Sequence, residues 1–130
     1  MFIWQYRNKF LQLNKNYIME LLQIIGWALS VVTALFLGKG AIEKLIGTKE
    51  MVGNFAYMKL DKYRVVTGLG ELLGVVLLLI PATSLFGAIL IASFMSAAAV
   101  MHLSLMGGAK TYIPIMIGVA GLLGHFLRVF

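Results

Sequence analysis

Three side chains could do chemistry in surroundings that are otherwise apolar: Lys44, Glu71 and His102. Glu71 stands in Gly68-Leu69-Gly70-Glu71-Leu72-Leu73-Gly74, inside a run from Val65 to Ile80 that is otherwise uncharged. A lone carboxylate in hydrocarbon costs on the order of 3 kcal/mol on insertion scales, so it faces protein or a watery cavity and has a partner. Lys39 or Lys44, at the end of the preceding apolar run, could turn inward to supply that partner. The chemistry on offer is a polar pocket for the head of a lipophilic molecule, a titrating carboxylate that moves protons, or an ion pair that fixes helix register. Gly70 and Gly74, four apart on one face, would let another backbone come close enough to shelter the acid.

Other constellations are weaker. His102 and His125 could be axial haem ligands, but counted from a hairpin near Ala109 they differ in depth by about 13 Å at 1.5 Å per residue, too much for one iron. A metal needs three or four converging ligands, and none are grouped here. There is no nucleophile with a base, no phosphate-cradling glycine loop and no catalytic carboxylate pair. No catalytic residue is assigned, and independent enzymatic activity is not expected.

Composition sets the class. The 130 residues are 61% hydrophobic and 12% charged, with a mean hydropathy of +0.93, against roughly 25% charged in an average soluble domain. A membrane protein of one domain is expected. There is no cysteine, so disulfides and thiol redox chemistry are excluded. The net charge of +6 comes from residues scattered along the borders of apolar runs. That distribution argues against nucleic acid and for contact with anionic lipid.

The elements that must position the three side chains follow from these borders. Residues 1–18 form a basic N-terminal extension with Arg7, Lys9 and Lys15, expected as a short amphipathic segment on the membrane surface or as a disordered tail. Residues 19–130 form the membrane domain, with spans at about 21–42, 64–80, 84–106 and 111–128. In the first span Gly26, Ser30, Ala34 and Gly38 recur every fourth position, a small face suited to close packing. Thr48 is placed to cap a short interfacial helix with Met51, Val52, Phe55 and Met58 on its apolar face. Pro81 ends the second span in a tight hairpin that makes the third span its antiparallel neighbour. The third span, rich in Ala and Ser, is expected to be the most buried. Gly107, Gly108 and Lys110 make a second hairpin, and Pro114 opens the fourth span, where Gly118, Gly121 and Gly124 leave one side smooth. The fold class is all-α, a membrane-spanning four-helix bundle with a short interfacial helix between the first and second spans.

The succession Gly40-Ala41-Ile42-Glu43-Lys44-Leu45, Phe55-Ala56, Gly70-Glu71-Leu72-Leu73-Gly74 running to Leu79-Ile80-Pro81, Gly87-Ala88 and Ala99-Val100-Met101-His102-Leu103 resembles the DoxX-like family of small four-helix membrane proteins. The resemblance runs from about Phe36 to Gly108. It implies a bacterial membrane protein of mostly undefined activity, with a distant link to a subunit that passes electrons from thiosulfate to quinone. The family's recurrent polar positions correspond to Lys44, Glu71 and His102. Met101 stands where a Thr often precedes the His, and the N-terminal extension is longer than the pattern.

The expectation is therefore a membrane accessory or binding subunit whose pocket of Lys44, Glu71 and His102 holds a lipophilic, quinone-like ligand. The alternatives are a small proton-linked transporter or channel and a structural scaffold. Expected partners are the lipid bilayer and either a second copy or a membrane redox enzyme, without nucleic acid or metal. Seven basic residues, Lys39 to Arg64 plus Lys110, lie on one side of the spans against four, Arg7, Lys9, Lys15 and Arg128, on the other. This bias puts the long connection on the cytoplasmic face of the cell membrane.

Overall fold

The computed structural model describes residues 2–105, Gly108 and 110–129, and the side chain of Leu105 is not among what it describes. Met106 and Gly107, on which the expected end of the third span and part of the second hairpin fall, lie outside the described residues, as do Ala109 and Phe130. Five α-helices, α1 (Phe2–Ile46), α2 (Lys49–Tyr57), α3 (Arg64–Leu79), α4 (Ser84–Leu105) and α5 (Tyr112–Arg128), account for nearly all of the described chain, which contains no strand.

The first helix is longer than the expected span. α1 runs through 45 residues without a break, about 67 Å at 1.5 Å per residue. The basic segment before residue 19 is the first part of this helix, because no Pro or Gly interrupts Phe2 to Ile25. The other ends lie within two residues of their expected positions, and their causes are local. The Thr48 hydroxyl accepts from the Met51 amide and starts α2. Pro81 opens a 3-10 turn, Pro81–Thr83, in which Thr83 Oγ1 donates to the Leu77 carbonyl and satisfies the end of α3. Pro114 is buried in the first turn of α5, where its missing N–H leaves no gap.

α1 and α4 each pack between α3 and α5, so the four long helices close a ring. The core at its centre is Ala34 and Leu37 of α1, Val75 and Leu78 of α3, and Ala88, Ile91 and Met95 of α4. On α3 the buried residues Gly68, Glu71, Val75 and Leu78 form one stripe. The glycines of α5 run between its two neighbours: Gly118 faces Met95 and Gly124 faces Ser30.

Two packing expectations need correction. Gly26, Ser30 and Ala34 are buried against the ring, but Gly38 is half-exposed and a Cβ built on it would meet nothing within 4 Å. A fourfold repeat gains about 40° per step at 3.6 residues per turn, so by Gly38 the stripe has rotated out and Leu37 and Ala41 face inward instead. The same drift turns Ser93 and Ser96 of α4 outward. α4 therefore turns part of its small-residue surface outward, with Ser93, Ser96 and Ala97 all exposed.

By length and apolar content the α1 stretch and the stretch Pro81–Ser104 suffice to cross a membrane. α3 and α5, with 16 and 17 residues, measure about 24 and 26 Å.

A buried ion pair and an arginine-lined groove

Lys44 turns inward from the last turn of α1, and its Nζ lies 2.7 and 2.6 Å from Glu71 Oε1 and Oε2. Glu71 is 2% exposed. Lys39 stays outside, with its side chain 80% exposed and at 4.0 Å from Glu43. A carboxylate and an ammonium at this separation compensate each other's loss of water, and both Glu71 oxygens are occupied in doing so.

The helices approach closely here because of Gly68. A Cβ on Gly68 would stand 3.0 Å from the Ala41 carbonyl oxygen and 3.1 Å from Lys44 Cβ. The expected shelter from Gly70 and Gly74 does not hold in that form: both face α4, where Gly70 is covered by the Phe94 ring and Gly74 by Ile91. Arg64, one heptad before Glu71, donates from Nη1 to the Lys44 carbonyl and closes the C-terminus of α1. The Lys44 backbone is thus held by Arg64 while its side chain holds Glu71.

His102 is not part of this cluster. Its Nδ1 lies 2.7 Å from the Ala98 carbonyl of its own helix. The α3–α4 register puts Phe94 opposite Gly70, so His102, eight residues further along α4, is displaced by about 12 Å from the level of Glu71. Of the three residues singled out in the sequence, two meet and the third lies near the end of the ring.

The other histidine is buried. His125 Nδ1 lies 2.7 Å from Ser84 Oγ, joining α5 to the start of α4. Because Ser84 is eighteen residues before His102, the two rings are separated by about 27 Å along the helices.

Sequence reasoning placed Arg128 at the interface without a role, and the structure gives it one. Its Nη1 donates to Ser30 Oγ at 3.0 Å and to the Leu78 carbonyl at 2.7 Å. Its guanidinium carbon lies 3.9 Å from the centre of the Trp27 ring. Ser30 passes the bond on to the Gly26 carbonyl at 2.9 Å. The approach of α1 to α5 that permits this depends on Gly26, where a Cβ would stand 2.8 Å from the Arg128 amide nitrogen. A groove of about 240 Å³ runs past Gln23, Trp27, Pro81, Ser84, Arg128 and Val129. A second groove, of about 300 Å³ and almost wholly apolar, lies between α1 and α5 and includes Val32, Thr33, Phe36, Tyr112, Ile113 and Met116. The Thr33 hydroxyl is buried and finds no hydrogen-bond partner among the described residues. No group of three or more His, Asp or Glu that could hold a metal occurs among the described residues.

The family model described as the DoxX-like family matches residues 28–124. No curated protein and no solved structure matches the chain.

Proposed function

This chain belongs to the DoxX-like family, and we propose that it is a multi-pass membrane protein of four spans, without catalysis of its own, that serves as a binding or accessory subunit for a lipophilic, quinone-like molecule. The observation that carries the reading is the polarity of the ring. Val32, Leu35 and Phe36 of α1, Val66, Leu69 and Leu73 of α3, Phe86 and Ile89 of α4, and Ile115 and Met116 of α5 face outward, while Ser30, Thr33, Glu71, Ser84 and His125 face inward. Water would penalise that surface, and lipid is the solvent it suits. α3 and α5 then span as short helices in a locally thinned bilayer, and α2 lies in the interface. The basic residues of the long connection favour the cytoplasmic face of a cytoplasmic membrane.

Within this reading the Lys44–Glu71 pair locks α1 to α3, and the ligand belongs in the apolar groove between α1 and α5. The groove lies at the lower end of the size range for small-molecule sites. Its apolar wall suits an isoprenoid or acyl chain, and the Thr33 hydroxyl can donate to a carbonyl head. The protein's place is beside a partner enzyme in the same membrane that would use the ligand.

The test is mass spectrometry of small molecules that copurify in mild detergent. A quinone-like or lipid-like compound should be retained by wild type and by the double variant Lys44→Met with Glu71→Leu, and lost on filling the groove with Ala120→Phe, a substitution in its wall. Proton flux through proteoliposomes that depends on Glu71 would replace this reading with a transporter. Recovery as a detergent-free soluble monomer would end it.

A further inference from the structure

We propose that the groove at the Pro81 end of the molecule is a binding site for a phosphate-type anion, built on Arg128. Three neutral groups from two helices hold the guanidinium: the Ser30 hydroxyl and the face of Trp27 from α1 and the Leu78 carbonyl from α3. Both ion pairs among the described residues lie at the opposite end of the ring, Lys39–Glu43 and Lys44–Glu71. The charge of Arg128 is fixed in position, and no carboxylate of the described residues pairs with it.

Closing the end of α3 needs one donor, and Nη1 supplies it. That duty does not explain a guanidinium plane stacked on an indole at the wall of an open groove. Stacking fixes the orientation of the planar fork, which is what recognition of a phosphate by two or more N–H groups requires and what a lysine could not provide. Gln23, Pro81 and Ser84 form the rest of the wall of the same groove.

The level of the site points the same way. α3 ends at Leu79 and α4 begins at Ser84, so the groove opens where the apolar stretches stop and where Trp is a favoured residue type of a membrane interface. On the membrane reading above, this is the depth of lipid phosphates. The phosphate chemistry itself does not depend on that reading, and a free phosphate would meet the same fork.

The experiment uses the full chain with Trp4→Phe, which leaves Trp27 as its only tryptophan, in an uncharged detergent. Trp27 fluorescence and melting temperature are followed during titration with phosphatidylglycerol, phosphatidylcholine and inorganic phosphate. Saturable quenching and a rising melting temperature with phosphatidylglycerol alone assign a lipid headgroup. The same response to inorganic phosphate assigns a free anion, and either result supports the site. Arg128→Lys should weaken the response at least about tenfold, as expected when a hydrogen bond to a charged group is lost. Equal responses to the two lipids with none to phosphate, or a response unchanged by Arg128→Lys, would overturn the proposal. Should that variant fail to fold, brominated lipids decide the matter on unmutated Arg128. Trp27 should then be quenched more by brominated phosphatidylglycerol than by brominated phosphatidylcholine, and equal quenching would overturn the site. Because no arm uses the groove between α1 and α5, failure here leaves the quinone-like ligand untouched.

Discussion

Lys44 Nζ touches both carboxylate oxygens of Glu71, at 2.7 and 2.6 Å, across the interface of α1 and α3. Burying two charges is costly, and their attraction roughly offsets that cost only while both remain. Lys44→Met or Glu71→Ala should therefore each destabilise the fold by about 3–5 kcal/mol, because each leaves an uncompensated charge. The double variant Lys44→Met with Glu71→Leu should recover most of the loss. A double-mutant cycle on thermal melting in detergent measures this, and additive effects of the two single changes would show that the pair is not a lock.

Three glycines that look alike in the sequence should behave differently. Gly26 and Gly68 sit where a Cβ would press on a neighbouring backbone, at 2.8 Å from the Arg128 amide nitrogen and 3.0 Å from the Ala41 carbonyl oxygen, whereas Gly38 has open space around it. Gly26→Ala and Gly68→Ala should cost about 1–3 kcal/mol each through forced separation of the helices. Gly38→Ala should stabilise α1 by about 0.5–1 kcal/mol through helix propensity. Melting temperatures of the three variants check the ordering, and a loss at Gly38 equal to that at Gly26 would contradict it.

Local signals in the sequence carried the helix ends and one half of the site. Pro81, Thr48 and Pro114 act on their own turns, and Lys44 is the inward-turning base near an acid that needs a partner. Three features depended on geometry that local pattern does not encode. Gly38 drifts off the packing face because a fourfold spacing is not a whole turn. His102 fails to meet Glu71 because the α3–α4 register is set by Phe94 on Gly70 and Leu78 on Gly87. Arg128 reads as an interfacial charge until the Gly26–Gly124 approach brings Ser30 and Leu78 within its reach. The unbroken α1 is legible in the absence of Pro and Gly before Gly26, although the basic residues of the same stretch suggest a boundary at residue 19.

The two histidines are held differently. His125 is 7% exposed and bonded to Ser84, itself 2% exposed, while His102 is half-buried and bonded only within its own helix among the described contacts. Removing His125 leaves the Ser84 hydroxyl only its bond to the Pro81 carbonyl at 3.2 Å and opens a gap, at about 1–3 kcal/mol. His102→Ala should change stability by no more than about 0.5 kcal/mol. Thermal melting of the two variants tests this, and a larger loss at His102 would mean that its role lies in contacts beyond Ala98.

The Lys44 carbonyl at the end of α1 is capped by a side chain from α3. Arg64 donates to the Lys44 carbonyl, and Gly47 follows in a left-handed conformation with φ of 80°, its amide donating to Glu43 at 3.0 Å. The guanidinium lies so close to Gly47 that a Cβ there would stand 2.9 Å from Nη1. Arg64→Met removes the donor and returns the last carbonyls of α1 to whatever solvent reaches them, which should cost about 1–3 kcal/mol for a lost charged hydrogen bond. Gly47→Ala strikes the same turn twice, once through the left-handed backbone and once through contact with Arg64. If Arg64 holds this turn, amide exchange at Gly47 and Thr48 should accelerate in both variants while the amides around Ala34 keep their protection. Acceleration confined to Gly47→Ala would show that the turn is held by its backbone alone, and uniform acceleration along α1 would show that Arg64 supports the whole ring and not one helix end.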